Sequence, residues 1–218
     1  MAVELPLFPL NIVLFPRMPL PLHIFEPRYR EMIGLCTEEK RPFGVLLIKE
    51  GLEAGSPAIP FEIGTTAYVV NVDRLEDGRM NIVTVGHERF RLASYSTEKK
   101  PYLVGGIEPL ADQPAPPSEA ATVAKDVASL AQRYIVMVQA ASGHDLMPLQ
   151  MSEDPAEISF VVGGSLHIDN YQRQQLLETT LVVQRLSMER TILEREIAKV
   201  EEFLRMKRGG GVGPFSGN

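Results

Sequence analysis

The apolar positions change period along the chain. From Leu5 to Ile33 they come in short runs, LPLFPLNIVLFPRMPLPLHIFEPRYREMI, interrupted by Pro6, Pro9, Pro16, Pro19, Pro21 and Pro27. Proline has no amide hydrogen to give to a ladder. The pattern therefore predicts only short strands near edges or bends, at 12–15 and 20–25. Pro27 suits a first helical position, and Tyr29, Met32 and Ile33 would then turn one face inward, with EEKRP at 38–42 facing solvent. FGVLLIKEG at 43–51 is a continuous apolar run that stops at charge and glycine. The clearest local signal is GTTAYVVNVDRLEDGRMNIVTVGHERFRLASY. Its strand-like runs at 65–75 and 79–86 flank Asp77-Gly78, a dipeptide suited to a tight hairpin turn. Alternation continues at 89–95, with Phe90 and Leu92 on one face and Arg89 and Arg91 on the other. YLVGGIEPL gives one more strand, whose Gly105-Gly106 pair suggests a bulge or a close backbone approach. Short strands in this arrangement point to a coiled sheet or a small barrel.

After PAPP at 114–117 the period becomes helical. Val123, Val127, Leu130, Ala131, Tyr134, Ile135 and Val138 mark one face of a helix over 121–141. Asp154-Pro155 opens a second, with Ile158, Val161, Val162 and Leu166 inward and Gly163-Gly164 as a weak point where another helix could pack closely. A last helical region runs from Asn170 to about Met206. Leu193, Ile197, Val200 and Leu204 form its apolar edge, while Glu194, Glu196, Glu201 and Glu202 face water. That edge suits either a coiled-coil seam or packing on the other two helices. The expected organisation is a β-rich, barrel-like domain at 1–113, a helical bundle at 114–208 and a flexible glycine-rich tail at 209–218.

Charge and chemistry narrow the function classes. A formal net charge of −6 gives no reason to expect a nucleic-acid binder. Cys36 is the only cysteine, so no intramolecular disulfide forms within one chain and a reducing, cytoplasmic setting is expected. No run of 18 apolar residues is present, so no membrane span is expected. His23, His87, His144 and His167 do not pair at metal-ligand spacing, and no metal or other cofactor is called for. There is no GxSxG elbow and no HExxH. His144-Asp145 can be drawn into a triad with some serine, as in any chain of this length. Glu153, Asp154 and Glu157 lie where a helix start favours carboxylates. Arg89 and Arg91 could bind an anion, although a solvated strand face is the simpler reading.

The proline-rich opening through FEPRYREM, the hairpin GTTAYVVNVDRLEDGRMNIVTVGHERFRL, YLVGGIEPL and DPAEISFVVGGSLHIDNYQRQQLLETTLVVQRLSMERTILEREI together resemble the Lon N-terminal, or substrate-binding, domain family. The resemblance runs from Leu5 to about Met206. It implies an α+β fold: a six-stranded pseudo-barrel of the pseudouridine-synthase-associated (PUA-like) type with a short helix, followed by an α-helical bundle. It also implies a helix break after QQLLE, at Thr179-Thr180, where either hydroxyl could cap a new helix. Pro9, Pro16, Phe25, Glu26, Pro27 and Arg28 become structural in this light. The prolines would pin a weaving chain while Leu5, Leu7, Phe8, Ile12, Leu14, Phe15, Leu22 and Phe25 fill the core, and a Glu26–Arg28 ion pair would fix the corner beside Pro27.

Full Lon proteases add an ATPase and a Ser/Lys peptidase module. This sequence has no GxxxxGK[ST], and no positions match the peptidase serine and lysine. The expectation is a stand-alone member that is not an enzyme, for which the word protease would describe ancestry. Its expected function is recognition of proteins or peptides. The partner would be an unfolded or partly exposed polypeptide, or a dedicated protein, in a groove between sheet and helices. Met147, Leu149 and Met151 are the candidate contacts, because Met and Leu adapt to varied surfaces; they serve equally well as a plug of the interdomain seam. Self-association through the C-terminal helices is a further expectation. The alternatives are a PUA-like binder of small ligands or nucleic acid, and a hydrolase whose residues do not assemble from the sequence. Acidic balance and the lack of a basic aromatic platform argue against nucleic acid.

Overall fold

Among the described residues six strands and five helices follow one another as β1 (Val3–Leu10), β2 (Pro19–Ile24), α1 (Pro27–Glu38), β3 (Phe43–Glu50), β4 (Ile59–Arg74), β5 (Met80–Ser96), β6 (Leu103–Pro109), α2 (Pro117–Ser142), α3 (Pro155–Ser165), α4 (Asn170–Glu178) and α5 (Val182–Gly209). The computed structural model describes residues 3–53, 58–113, 116–143 and 149–209. The sheet order is β2-β5-β4-β3-β1-β6, and β5 pairs with β6 as well, which closes a pseudo-barrel ring. Length makes this possible. β2 takes one flank of β5 from Met80 to Val85 and β6 takes the same flank from Phe90 onward, while β4 holds the opposite flank. β1 and β3 run parallel, and the other pairings among the described strands are antiparallel.

Prolines do not keep the opening segment out of the sheet. β1 contains Pro6 and Pro9 and lies between β3 and β6. The reason is register: β1 pairs with β6 over 3–7 and with β3 over 7–10, so each proline sits where only one flank is laddered. The strand expected at 12–15 is instead irregular. Pro16 and Arg17 form the corner of a turn in which Met18 N donates to Phe15 O at 3.1 Å. Arg17 has φ 68°, as the third position of a type II turn requires. Leu14 and Phe15 are buried there all the same.

Apolar clusters fill the sheet unit. One gathers Phe8, Leu14, Met32, Ile33 and Phe43 with α1; another joins Leu7, Leu46, Phe90 and Ile107. Of the residues expected in the core, Phe25 is not: it is 54% exposed, and Ile24 takes the inward position because the β2 alternation places it there.

Grouping by contact puts Gly163–Leu181 with the sheet and leaves Ala115–Val162 with Val182–Asn218. This differs from a helical unit running unbroken over 114–208, and the hydrogen bonds show why. Asn170 Nδ2 donates to Asn11 O at 2.6 Å, Arg173 Nη1 to Leu166 O at 3.0 Å, and Gln174 Nε2 to Ile63 O at 3.0 Å. Gly163 lies against Phe15, where an added Cβ would come within 2.7 Å of the ring. The Gly-Gly pair thus admits an aromatic side chain from the opening segment rather than another helix. The chain breaks between α4 and α5 at Thr179-Thr180. Thr179 Oγ1 donates back to Gln175 O, and Thr180 Oγ1 accepts from Gln113 Nε2.

In the helical unit α2 and α5 run parallel, since Arg133 meets Glu201 at 2.5 Å and Lys207 meets Ala141 O at 3.4 Å further along both. Val127, Ala131 and Tyr134 of α2 and Leu186, Leu193 and Ile197 of α5 are buried. The tail expected to be flexible falls outside the described residues from 210 onward.

Candidate functional site

The β4–β5 ladder runs from Arg74↔Met80 to Ile63↔Arg91 and stops. Beyond that point each strand follows its other neighbour. Residues of β4 before Ile63 pair with β3 (Pro60↔Ile48, Ile59↔Glu50), and β5 pairs with β6 (Leu92↔Ile107, Ser94↔Gly106, Tyr95↔Gly105) with a register shift between Leu92 and Ser94. Gly105 lets β5 bend this close, because a Cβ there would come within 2.5 Å of Leu92 and 2.6 Å of Leu7. The two strands part and leave a cleft of about 800 Å³, walled by residues 59–63 and 91–95 with Lys49 and Glu178 at its sides. Ile59 (46% exposed) and Tyr95 (45%) stand at its open end. Glu62 and Arg91 face one another across it at 3.6 Å, both exposed, so the pair contributes little to stability. At the closed end Gln174 Nε2 bonds both Ile63 O (3.0 Å) and Glu178 Oε1 (2.9 Å).

A second concavity of about 310 Å³ lies at the corner of β2 and α1, lined by Phe8, Leu10, Ile12, Leu20, Phe25 and Tyr29 among others. Glu26 and Arg28 meet at 2.9 Å across Pro27, which opens α1. Arg28 also lies 4.5 Å from the Tyr29 ring centroid and donates from Nη2 to Glu53 O at 3.4 Å. Burial pushes the Tyr29 phenol up, against the pull of Arg28. Phe25 is at the rim rather than beneath it.

Arg89 is held by hydrogen bonds within the sheet unit. It is buried, although Arg91 two residues on is exposed, because the ends of α4 and β6 cover it. Its Nη1 donates to Leu177 O at 2.7 Å and to Thr179 O at 3.0 Å, and its Nη2 to Asp112 Oδ1 at 2.5 Å. Arg91 belongs to the cleft wall. Pro9 and Pro16 are buried and Pro27 is exposed. Leu149 and Met151 are half-buried and line neither concavity; Met147, like His144-Asp145, is outside the described residues. Among the described residues no cluster of three His, Cys, Asp or Glu could hold a metal ion, and no helix is long and apolar enough to cross a membrane.

Sequence reasoning missed two features. The cleft is one; its only trace is a β5 run longer than either of its partners on one flank. The other is a pair of buried ionisable side chains one turn apart on α5, Arg185 and Glu189. Arg185 donates from Nε to Ser159 Oγ at 2.5 Å and lies 4.2 Å from the Phe160 ring centroid. Glu189, one turn on, is fully buried, and neither of its carboxylate oxygens has a hydrogen-bond partner. Burial holds its carboxyl well above the usual range, with Arg185 pulling the other way. Their spacing on an otherwise apolar face, among Val182, Leu186 and Leu193, was visible.

Comparison with known proteins is consistent along the chain. Residues 4–195 match the family model described as the ATP-dependent protease La (LON) substrate-binding domain. Lon protease of Brevibacillus choshinensis is 26% identical over 202 residues, covering 91% of this chain and 26% of that protein. Lon protease of Halothermothrix orenii is 29% identical over 206 residues, 92% of this chain and 26% of that one. The chain thus spans about a quarter of these curated relatives. A crystal structure of a Lon N-terminal domain protein from Xanthomonas campestris superposes with a TM-score of 0.63 at 25% identity, covering 85% of this chain and 95% of that one. The N-terminal domain of Mycobacterium avium complex Lon protease gives 0.66 at 19% identity, 88% and 98% covered, a likeness of fold.

Proposed function

This chain belongs to the substrate-binding domain family of ATP-dependent protease La (Lon), and from that premise we propose that it is a non-catalytic module that recognises unfolded or partly exposed polypeptide. The observation that carries this reading is the parted β4–β5 pair. It offers about 800 Å³ of open, strand-walled space whose ionisable groups, Lys49, Glu62, Arg91 and Glu178, balance in charge. Titration of the purified protein against a fluorescein-labelled, reduced and alkylated α-lactalbumin, followed by anisotropy, tests it. Saturable binding of the unfolded probe, with weaker binding of the native form, is expected. No binding of either up to about tens of micromolar, the range of weak recognition, overturns it.

Self-association through α5 is a second reading. Phe203 (52% exposed) and Met206 (64%) near its end favour it, since apolar side chains left together at a helix end often mark an interface. Sedimentation velocity across a dilution series should then show a concentration-dependent dimer that Phe203→Glu abolishes.

A further inference from the structure

We propose that the cleft between β4 and β5 is a strand-addition site, in which an extended segment of client polypeptide lies between the two parted strands and pairs with the main chain of both. The proposal rests on the polypeptide-recognition reading and specifies how recognition occurs. Its first support is register. Continuing the antiparallel ladder past Ile63↔Arg91 would place 62, 61, 60 and 59 opposite 92, 93, 94 and 95, and those are the residues that wall the cleft. On the cleft side neither segment has a ladder partner, because β4 there pairs with β3 and β5 with β6. Exposed strand edges are templates for another strand, and main-chain pairing of this kind gives affinity without demanding one sequence.

The size agrees. A five-residue strand rising about 3.3 Å per residue is about 17 Å long; at a strand spacing of about 4.8 Å and a sheet thickness of about 10 Å it fills roughly 800 Å³. The cleft is about 800 Å³. The charge also agrees with one kind of occupant. Lys49 and Arg91 are balanced by Glu62 and Glu178, with Glu62 and Arg91 already facing each other. A strongly charged ligand would gain nothing from such walls. Ile59 and Tyr95 leave apolar surface at the open end, so the occupant is an uncharged extended segment with an apolar residue at that end. Buried segments of this composition are exposed when a protein unfolds, which joins the site to the choice of client.

Hydrogen exchange by mass spectrometry, on the whole protein with and without saturating reduced and alkylated α-lactalbumin, tests the main-chain claim. The cleft-facing amides within 59–62, where Pro60 has none, and within 92–95 should exchange at least about tenfold more slowly in the complex, as newly paired backbone does. Tyr95→Ala and Ile59→Asp, both at exposed positions, should raise Kd by about tenfold or more with no change in thermal unfolding. If the probe binds and protection falls elsewhere, with both variants binding normally, the strand-addition site is overturned while polypeptide recognition stands. If the probe does not bind at all, recognition fails first and this proposal with it. Protection of the two segments that grows with protein concentration in the absence of client would assign the cleft to a second copy, and also overturns the proposal.

Discussion

Replacing Arg89 with methionine is expected to destabilise the sheet unit by about 3–5 kcal/mol, the cost of removing one partner from a buried, hydrogen-bonded charge pair. The substitution removes the guanidinium donor from three acceptors together: Leu177 O, Thr179 O and Asp112 Oδ1, bonded at 2.7, 3.0 and 2.5 Å. Two of these are carbonyls at the end of α4, which lack intrahelical partners, so the guanidinium acts as the cap of that helix. Methionine fills similar space but supplies no donors. Lysine keeps the charge but cannot reproduce the two-nitrogen fork, and should recover only part of the loss. Urea unfolding with exchange measured on α4 amides checks this. A loss under about 1 kcal/mol, the scale of an ordinary exposed ion pair, would mean that the end of α4 is held by something else. Because Glu178 beside that end lines the cleft, Arg89→Met should also weaken polypeptide binding, whereas Arg91→Met at the exposed neighbouring position should leave stability nearly unchanged.

The contrast between Arg89 and Arg91 shows where sequence reading stops. Strand alternation correctly puts both on the face opposite Phe90 and Leu92, and nothing nearby in sequence separates them. What buries Arg89 is a helix end 88 residues further along the chain. Phe25 was misplaced for a smaller reason, a one-residue choice of phase in β2 that gives the inward position to Ile24. The prolines of β1 bar pairing only where a strand is laddered on both flanks, and β1 is laddered on one flank at each of them. The hairpin at Asp77-Gly78, the helix opened by Pro27 and the face of α2 were legible because local turn chemistry and periodicity decide them. The cleft was not. It consists of pairs that fail to form, and it depends on β5 having a better partner in β6 than in the first residues of β4.

Glu189→Gln is expected to stabilise the helical unit at pH 8 and to remove a dependence on pH that the native residue imposes. The Glu189 carboxyl is held well above its ordinary value by burial, only partly opposed by Arg185. Between the ordinary glutamate value of about 4.3 and the raised folded value, the folded state keeps a proton that the unfolded state has released. Stability therefore falls as pH rises through that window, by up to about 1.4 kcal/mol per pH unit, and is fully present below it. Glutamine keeps the shape and the neutrality of the protonated acid, so chemical denaturation from pH 4 to 8 should show a shallower slope and a more stable variant at the upper end. The opposite outcome is equally definite. If Arg185 instead holds Glu189 ionised, the substitution takes the opposite charge away from a buried guanidinium that bonds Ser159 and lies against the Phe160 ring, and should cost about 3–5 kcal/mol at neutral pH. The two accounts differ in the sign of the effect at pH 8, so one variant decides between them. Both carboxylate oxygens lack a hydrogen-bond partner, which a buried ionised carboxylate could not sustain, and the sign expected is therefore stabilisation.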